Sequence, residues 1–231
     1  LYINRVFISK DIDGLIPTWL RFVQGILDTT SLDLNVSREL VQNSPVLRKI
    51  SKSITKKVLS ELKKKLKKDP KEYDAFWSQF GKVIKEGLYE DLENRDKIIE
   101  IIRVFSNKQN DNITIQDYLE NMAEGQDSIY YLTADTLKQA LSSPHLEGFK
   151  SKDIDVLLMT DPIDAFWMSQ MAQFNDKKFV SISRDTYDLS EVGSKETKKP
   201  KKSKAAKGTI ELIKSHKEDL VADVVESTSL A

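Results

Sequence analysis

Segment 35–39, of sequence NVSRE, places a charged residue where an expected strand turns into an expected helix. Side chains on such loops lie at the carboxyl end of the strand, where α/β units commonly bind ligands. Arg38 would present a planar, permanently charged guanidinium that suits a phosphate group. Gln42 follows one helical turn later, so both side chains could face one ligand. The alternative is that Arg38 pairs with Glu39 or with another carboxylate.

A second candidate group is aromatic: Phe166, Trp167 and Met168 are consecutive in an expected helix that also carries Met171 and Phe174. Neighbouring residues of a helix point about 100° apart, so these side chains cannot all face a core. One of Phe166 and Trp167 is therefore expected on the surface, where an aromatic ring beside methionine forms an adaptable binding surface. The alternative is a helix that is buried on all of these positions.

Composition excludes several classes of site and partner. The 231 residues include 36 Lys and Arg and 36 Asp and Glu, so the net charge is zero and a globally basic nucleic-acid binder is disfavoured. Without cysteine there are no disulfides, thiolate metal sites or cysteine nucleophiles, and two histidines are too few for a multi-histidine metal site. No apolar run approaches the roughly 20 residues that span a bilayer, and no signal peptide is evident. We therefore expect a cytoplasmic protein that binds neither membrane nor nucleic acid.

The first half of the chain predicts a short α/β portion followed by helices. Residues 2–8 are typical of a strand, and Ser44-Pro45 is a favourable helix start. Apolar residues recur every three or four positions from Leu47 to Leu66, which predicts a long amphipathic helix with a lysine-rich outer face. Further helices are predicted over 73–86, with Gly87 as the stop, and over 96–105. Together these helices predict a three-helix coil over residues 45–112.

Residues 113–183 predict a small three-layer α/β unit. Apolar strands are expected at 129–132, 156–159 and 178–182, with helices over 135–141 and 163–174 between them. Continuous apolar strands that alternate with helices are typical of parallel βαβ units. The fold class is therefore α/β, with mixed α+β character and parallel strands in this unit.

The last part of the chain changes in composition. Residues 184–207 are rich in lysine, contain Pro200 and have few large apolar side chains, which predicts an extended linker. Residues 208–231 suggest the first helix and strand of a further domain. Both chain ends interrupt expected structure, so we expect a fragment of a longer protein.

Several ordered blocks of the sequence resemble the ninety-kilodalton heat-shock protein family, and the bacterial chaperones of that family most closely. The resemblance covers about residues 1–183 and includes LYINRVFI at 1–8, LNVSRE at 34–39, IYYLT at 129–133, SPHLE at 143–147 and TDPID at 160–164.

The resemblance implies a domain order. Family members have an N-terminal ATP-binding domain, a middle domain and a C-terminal dimerisation domain. Residues 1–44 would be the C-terminal part of the large α/β portion of the middle domain, 45–112 the coil and 113–183 the small α/β portion. Residues 184–207 would be a linker and 208–231 the start of the C-terminal domain. The ATP-binding domain would be missing, and the helices that form the parent homodimer would lie beyond Ala231.

The resemblance also implies roles for individual residues. Arg38 would reach the γ-phosphate of ATP, bound with Mg²⁺ in the missing N-terminal domain, and Asn35 and Gln42 would support it. This fragment alone would bind no cofactor and would be inactive as an ATPase. Phe166, Trp167 and Met168 fall in a region that resembles a surface for non-native client proteins, and co-chaperones are further possible partners.

These observations predict the middle region of an ATP-dependent molecular chaperone that binds and remodels non-native proteins. A different class of function is a non-enzymatic interaction scaffold or adaptor that uses an exposed aromatic helix. A third is a small-ligand α/β enzyme with its site at the strand ends near Thr133 and Asp161.

Overall fold

The computed structural model describes residues 1–10, 12–30 and 44–184, together with Leu189 and Val192. The chain divides into two compact units. The first contains the described residues of 1–104, with 114–116 and 161–172, and the second contains 105–113, 117–160 and the described residues from 173 onward. The predicted linker and the predicted start of a C-terminal domain lie outside the described residues, so both stay predictions.

The described part of the chain contains helices and strands in mixed order. The α-helices are α1 (Pro45–Lys68), α2 (Pro70–Glu90), α3 (Arg95–Ile99), α4 (Ile115–Glu120), α5 (Leu137–Leu141), α6 (Glu147–Ser151) and α7 (Asp164–Met168), with 3₁₀ helices at Thr18–Leu20 and Pro144–Leu146. The strands are β1 (Tyr2–Ile3), β2 (Val6–Phe7), β3 (Asp28–Thr29), β4 (Arg103–Ser106), β5 (Asp111–Thr114), β6 (Ser128–Thr133), β7 (Leu157–Met159), β8 (Gln173–Phe174) and β9 (Lys177–Ser181).

Helix α1 forms as its sequence predicts. The Ser44 hydroxyl accepts a hydrogen bond of 3.0 Å from the backbone N–H of Leu47, and Pro45 occupies the first turn. Leu47, Leu59 and Leu62 are buried on one face of the helix. The predicted amphipathic helix is therefore confirmed, and it ends next to Asp69, whose carboxylate caps α2 through the N–H of Glu72.

Helix α2 is longer than predicted, because Gly87 does not end it. The helix continues through Gly87 to Glu90. A Cβ atom at Gly87 would lie 2.6 Å from the indole ring of Trp19 and 2.9 Å from Ile98 Cδ1. The glycine therefore allows the 3₁₀ helix that carries the fully buried Trp19 to approach α2 closely.

The predicted helix over 96–105 is wrong beyond Ile99. Helix α3 covers only Arg95–Ile99, and Arg103–Ser106 forms strand β4, in which burial alternates from residue to residue. This period of two fits a strand with one buried face. The last two residues of the predicted coil, Asp111 and Asn112, form the start of strand β5.

Tight hairpins shorten two predicted elements. Asn4 and Arg5 have positive φ and connect β1 to β2, so residues 2–8 do not form one strand. Asn175 and Asp176 do the same between β8 and β9, so the helix predicted over 163–174 stops at Met168. Positive φ at both central residues is the geometry that matches the twist of paired strands.

The second unit is built on a six-stranded sheet of order β5-β4-β7-β6-β9-β8. Strand β6 pairs in parallel with β7 and with β9, which confirms the predicted parallel strands. The pairs β4–β7 and β8–β9 are antiparallel, so the sheet as a whole is mixed. Its core includes buried residues of β6, β7, α5 and α6: Tyr130, Leu132, Ala140, Phe149 and Leu158.

A buried carboxylate, Asp155, organises the start of β7. Its oxygens accept hydrogen bonds from the Ser106 hydroxyl at 2.7 and 2.8 Å and from the backbone N–H of Lys108 and Val156. Burial raises the pKa of Asp155, and these hydrogen bonds oppose the rise without cancelling it.

Gly87→Ala should destabilise the first unit. Alanine favours a helix by up to about 1 kcal/mol over glycine, but the overpacking against Trp19 costs about 1–3 kcal/mol, so we expect a net loss. Chemical denaturation measures the free energy of unfolding. Gly148→Ala is the matched control, because a Cβ there meets no atom within 4 Å. A variant Gly87→Ala as stable as the control would contradict the close approach.

Asp155→Asn should stabilise the protein at neutral pH, because the amide removes a charge that burial disfavours. The pKa of Asp155 is raised in the folded state, so its ionisation lowers stability as pH rises through that value. The advantage of the variant should therefore shrink as pH falls towards 4. Unfolding at several pH values checks this, with exposed Asp135→Asn as the control. An advantage that grows on acidification would disprove it.

Candidate functional site

The three residues predicted to serve ATP hydrolysis cannot be placed. Asn35, Arg38 and Gln42 lie outside the described residues, in segment 31–43. Their predicted roles stay predictions. The candidate site that the structure does describe is the second one, around helix α7.

Helix α7 separates the three predicted client-binding residues. Phe166 is 57% exposed, whereas Trp167 is fully buried and Met168 is 8% exposed. The separation follows from the helical period, since adjacent side chains point in different directions. The prediction that one of the two aromatic residues is exposed is confirmed, and that residue is Phe166.

Tyr89, in the last turn of α2, provides a second exposed ring beside Phe166. The two ring centroids are 6.1 Å apart with the rings edge to face at 72°, and Tyr89 is 43% exposed. Such aromatic pairs attract each other while leaving their remaining faces open. We call Tyr89 and Phe166 the aromatic surface. Sequence reasoning missed Tyr89 because the predicted helix ended at Glu86.

Beneath the aromatic surface lies the carboxylate of Asp164, which is 1% exposed. Lys85 Nζ lies 3.0 Å from Oδ1 and 3.1 Å from Oδ2. Trp167 Nε1 donates to Oδ1 at 2.9 Å, and the backbone N–H of Asp161 donates to Oδ2 at 3.1 Å. Both carboxylate oxygens therefore have partners, as a buried charge requires.

Lys85 is the buried cation of this group. Its side chain is 4% exposed, and Nζ also lies 2.9 Å from Asp161 Oδ2. Exposed Lys82 approaches the other oxygen of Asp161 at 3.4 Å. Burial alone would raise the pKa of Asp161, but the positive charges of Lys85 and Lys82 outweigh it and the pKa lies below its ordinary value. We call Lys85, Asp161 and Asp164 the buried ionic cluster.

A second anchor holds the chain just after α7. Arg95 donates from Nε to the carbonyl oxygen of Leu88 at 2.7 Å and from Nη2 to Gln170 Oε1 at 2.9 Å. Its Nη1 also contacts the Gln170 carbonyl oxygen at 3.3 Å. The segment that carries Phe166 is thus tied to α2 and α3 on both sides of the exposed ring.

This arrangement suits non-covalent binding rather than catalysis. Buried Lys85 and exposed Lys82 balance the charges of Asp161 and Asp164, and two aromatic rings are exposed beside this group. Among the described residues, no group of three or more histidine or acidic side chains could hold a metal ion. No helix in that part of the chain is long and apolar enough to cross a membrane. Exposed rings held in place can bind apolar side chains of another protein.

Sequence comparison assigns the chain to a family. A sequence profile described as "Hsp90 protein" matches residues 1–231. The chain belongs to the Hsp90 family. It is 50% identical over 196 residues to the chaperone protein HtpG of Roseobacter denitrificans, an alignment that covers 85% of this chain and 32% of that protein. It is 40% identical to the chaperone protein HtpG of Alkalilimnicola ehrlichii, with 100% of this chain and 36% of that protein covered.

Structural comparison indicates which part of the family the chain matches. The middle domain of a Plasmodium falciparum heat shock protein superposes with a TM-score of 0.70 at 31% identity, covering 80% of this chain and 72% of that one. The chain spans about a third of the length of the HtpG relatives. It therefore corresponds to the middle region of an Hsp90-type chaperone, and its mixed α/β fold is the expected one.

Proposed function

We propose that this chain acts within an ATP-dependent chaperone and that its aromatic surface binds apolar segments of non-native proteins. The observation that carries the proposal is the exposure of Phe166 and Tyr89 side by side, in a chain of a chaperone family. Large apolar side chains that remain exposed together commonly mark an interaction site. Non-native proteins supply the matching groups, because unfolding exposes their apolar side chains.

The proposal extends to ATP hydrolysis through the family resemblance. Arg38 would place its positive charge near the γ-phosphate of ATP, bound with Mg²⁺ in an N-terminal domain of the longer protein. Asn35 and Gln42 would support that loop. The longer protein would act in the cytoplasm as a homodimer joined through C-terminal helices, with co-chaperones as further partners.

Phe166→Ala should weaken the binding of a non-native protein about fivefold or more, because truncating a central aromatic contact removes more than about 1 kcal/mol. The measurement is fluorescence anisotropy of labelled, reduced and carboxymethylated α-lactalbumin, titrated with the 231-residue chain. Tyr89→Ala should weaken it as well.

Phe7→Ala is the matched control for this prediction. Phe7 is 59% exposed and also meets a tyrosine edge to face, with its ring centroid 5.6 Å from that of Tyr2. Its replacement should leave binding unchanged. Equal losses from Phe7→Ala and Phe166→Ala would show general hydrophobic adhesion in place of a site.

Arg38→Ala should lower ATP turnover at least about tenfold in a full-length chaperone that contains this sequence, with ATP affinity changed less than about threefold. The loss falls on turnover because the charge acts where negative charge gathers during phosphoryl transfer. Steady-state hydrolysis and nucleotide titration measure the two quantities. Arg48→Ala, which removes the same charge at an exposed position of α1, is the control. Unchanged turnover would favour the non-enzymatic scaffold.

A further inference from the structure

We infer that the buried ionic cluster positions Phe166 beside Tyr89 and thereby sets the affinity of the aromatic surface for apolar segments of non-native proteins. Lys85 and Asp164 are too buried to touch a bound segment, so they would be positioning residues. The inference rests on the proposed function of the aromatic surface.

Helix α7 depends on tertiary contacts for its stability and its position. It has five residues, and helices much shorter than about 12 residues are unstable in water without tertiary contacts. No side chain caps it in the usual way, since Ile163 occupies the N-terminal position. The Asp164 carboxylate instead accepts the N–H of Asp161, three residues earlier. The direction in which Phe166 projects therefore depends on what Asp164 contacts.

The ionic cluster and the aromatic surface join the same two helices. Lys85 and Tyr89 are four residues apart on α2, so they lie on one side of it, a single turn apart. Asp164 and Phe166 are two residues apart on α7. An ionic contact inside and a ring contact outside thus connect α2 to α7 at adjacent turns. Loss of the inner contact would leave α7 tied on one side of Phe166, through Arg95 and Gln170, so α7 would turn about that anchor and separate the rings.

The carboxylate at position 164 makes directional contacts that an apolar side chain could not make. An apolar side chain at position 164 could fill the space, but it would accept no hydrogen bond from Trp167 Nε1 or from the backbone of Asp161. Buried ion pairs often add little stability compared with apolar packing, and they can specify one arrangement. Trp167 is adjacent to Phe166, so fixing its indole also fixes the backbone from which Phe166 projects.

The test is a double-mutant cycle that combines Asp164→Asn with Phe166→Ala. Asparagine keeps the shape of aspartate but removes its charge opposite Lys85, which retains Asp161 as a partner. Affinity for labelled, reduced and carboxymethylated α-lactalbumin is measured with the 231-residue chain at low temperature. We expect Asp164→Asn to weaken binding at least about fivefold when Phe166 is present and less than about twofold when it is alanine.

A stability control separates positioning from general damage. Leu59→Ala truncates a buried side chain of α1 and should lower the melting temperature without touching the cluster. It should leave binding unchanged below that temperature. ¹⁹F NMR of fluorotryptophan-labelled protein adds a local readout: Asp164→Asn should shift the Trp167 signal and leave those of Trp19 and Trp77 in place.

A second variant covers the case in which Asp164→Asn does not fold. Trp167→Phe keeps an aromatic ring in the core but removes the N–H that Asp164 accepts. When Phe166 is present, Trp167→Phe should weaken binding by a smaller factor than Asp164→Asn does. When Phe166 is replaced by alanine, Trp167→Phe should have little effect on binding.

The outcomes separate the two proposals. The positioning role is overturned if Phe166→Ala weakens binding and Asp164→Asn does not. It is also overturned if the two substitutions weaken binding by independent factors in the double mutant. In both cases the proposal that the aromatic surface binds non-native proteins is retained. Equal losses from Asp164→Asn and Leu59→Ala would also overturn it. If Phe166→Ala leaves binding unchanged, the proposed function of the aromatic surface is wrong, and the positioning role is withdrawn with it.

Discussion

The contact between Lys85 and Asp164 is the interaction on which the described site depends. It is a buried ion pair that reaches from near the C-terminal end of one long helix to a helix of five residues. The long helix brings its own rigidity, because α2 is packed along its length in the first unit. The short helix takes its position from the pair, and the exposed ring of Phe166 follows from that position.

The last turns of α2 carry contacts on two sides. Gly87 admits the buried ring of Trp19 at a distance that no other residue type allows, while Lys85 and Tyr89 engage α7. On the Trp19 side, Arg21 also pairs with Glu86, and this hydrogen-bonded pair holds the pKa of Glu86 below its ordinary value. One helix therefore supports both the chain that leads towards the Arg38 segment and the surface that carries Phe166.

Buried carboxylates serve two different purposes in this chain. Asp161 and Asp164 face lysine, so their charge is compensated and the pKa of Asp161 is lowered. Asp155 accepts hydrogen bonds from a hydroxyl and from backbone N–H groups, and its burial raises its pKa. The first arrangement makes directional contacts with both oxygens of Asp164 and suits a position that must not move. The second contributes more to local backbone geometry than to stability at neutral pH.

The sequence by itself determined the elements whose signals are local and long: α1 from its cap and apolar stripe, strands β6 and β7 from their apolar runs, and the family from ordered motifs. It also predicted that one of Phe166 and Trp167 would be exposed, with a fully buried helix as the alternative. Only the tertiary structure decided which of them is exposed and that Tyr89 stands beside it. The same is true of the hairpins at Asn4 and Asn175 and of the burial of Lys85. These features depend on partners distant in sequence, where strand pairing, a neighbouring ring or an opposite charge overrides the local periodicity.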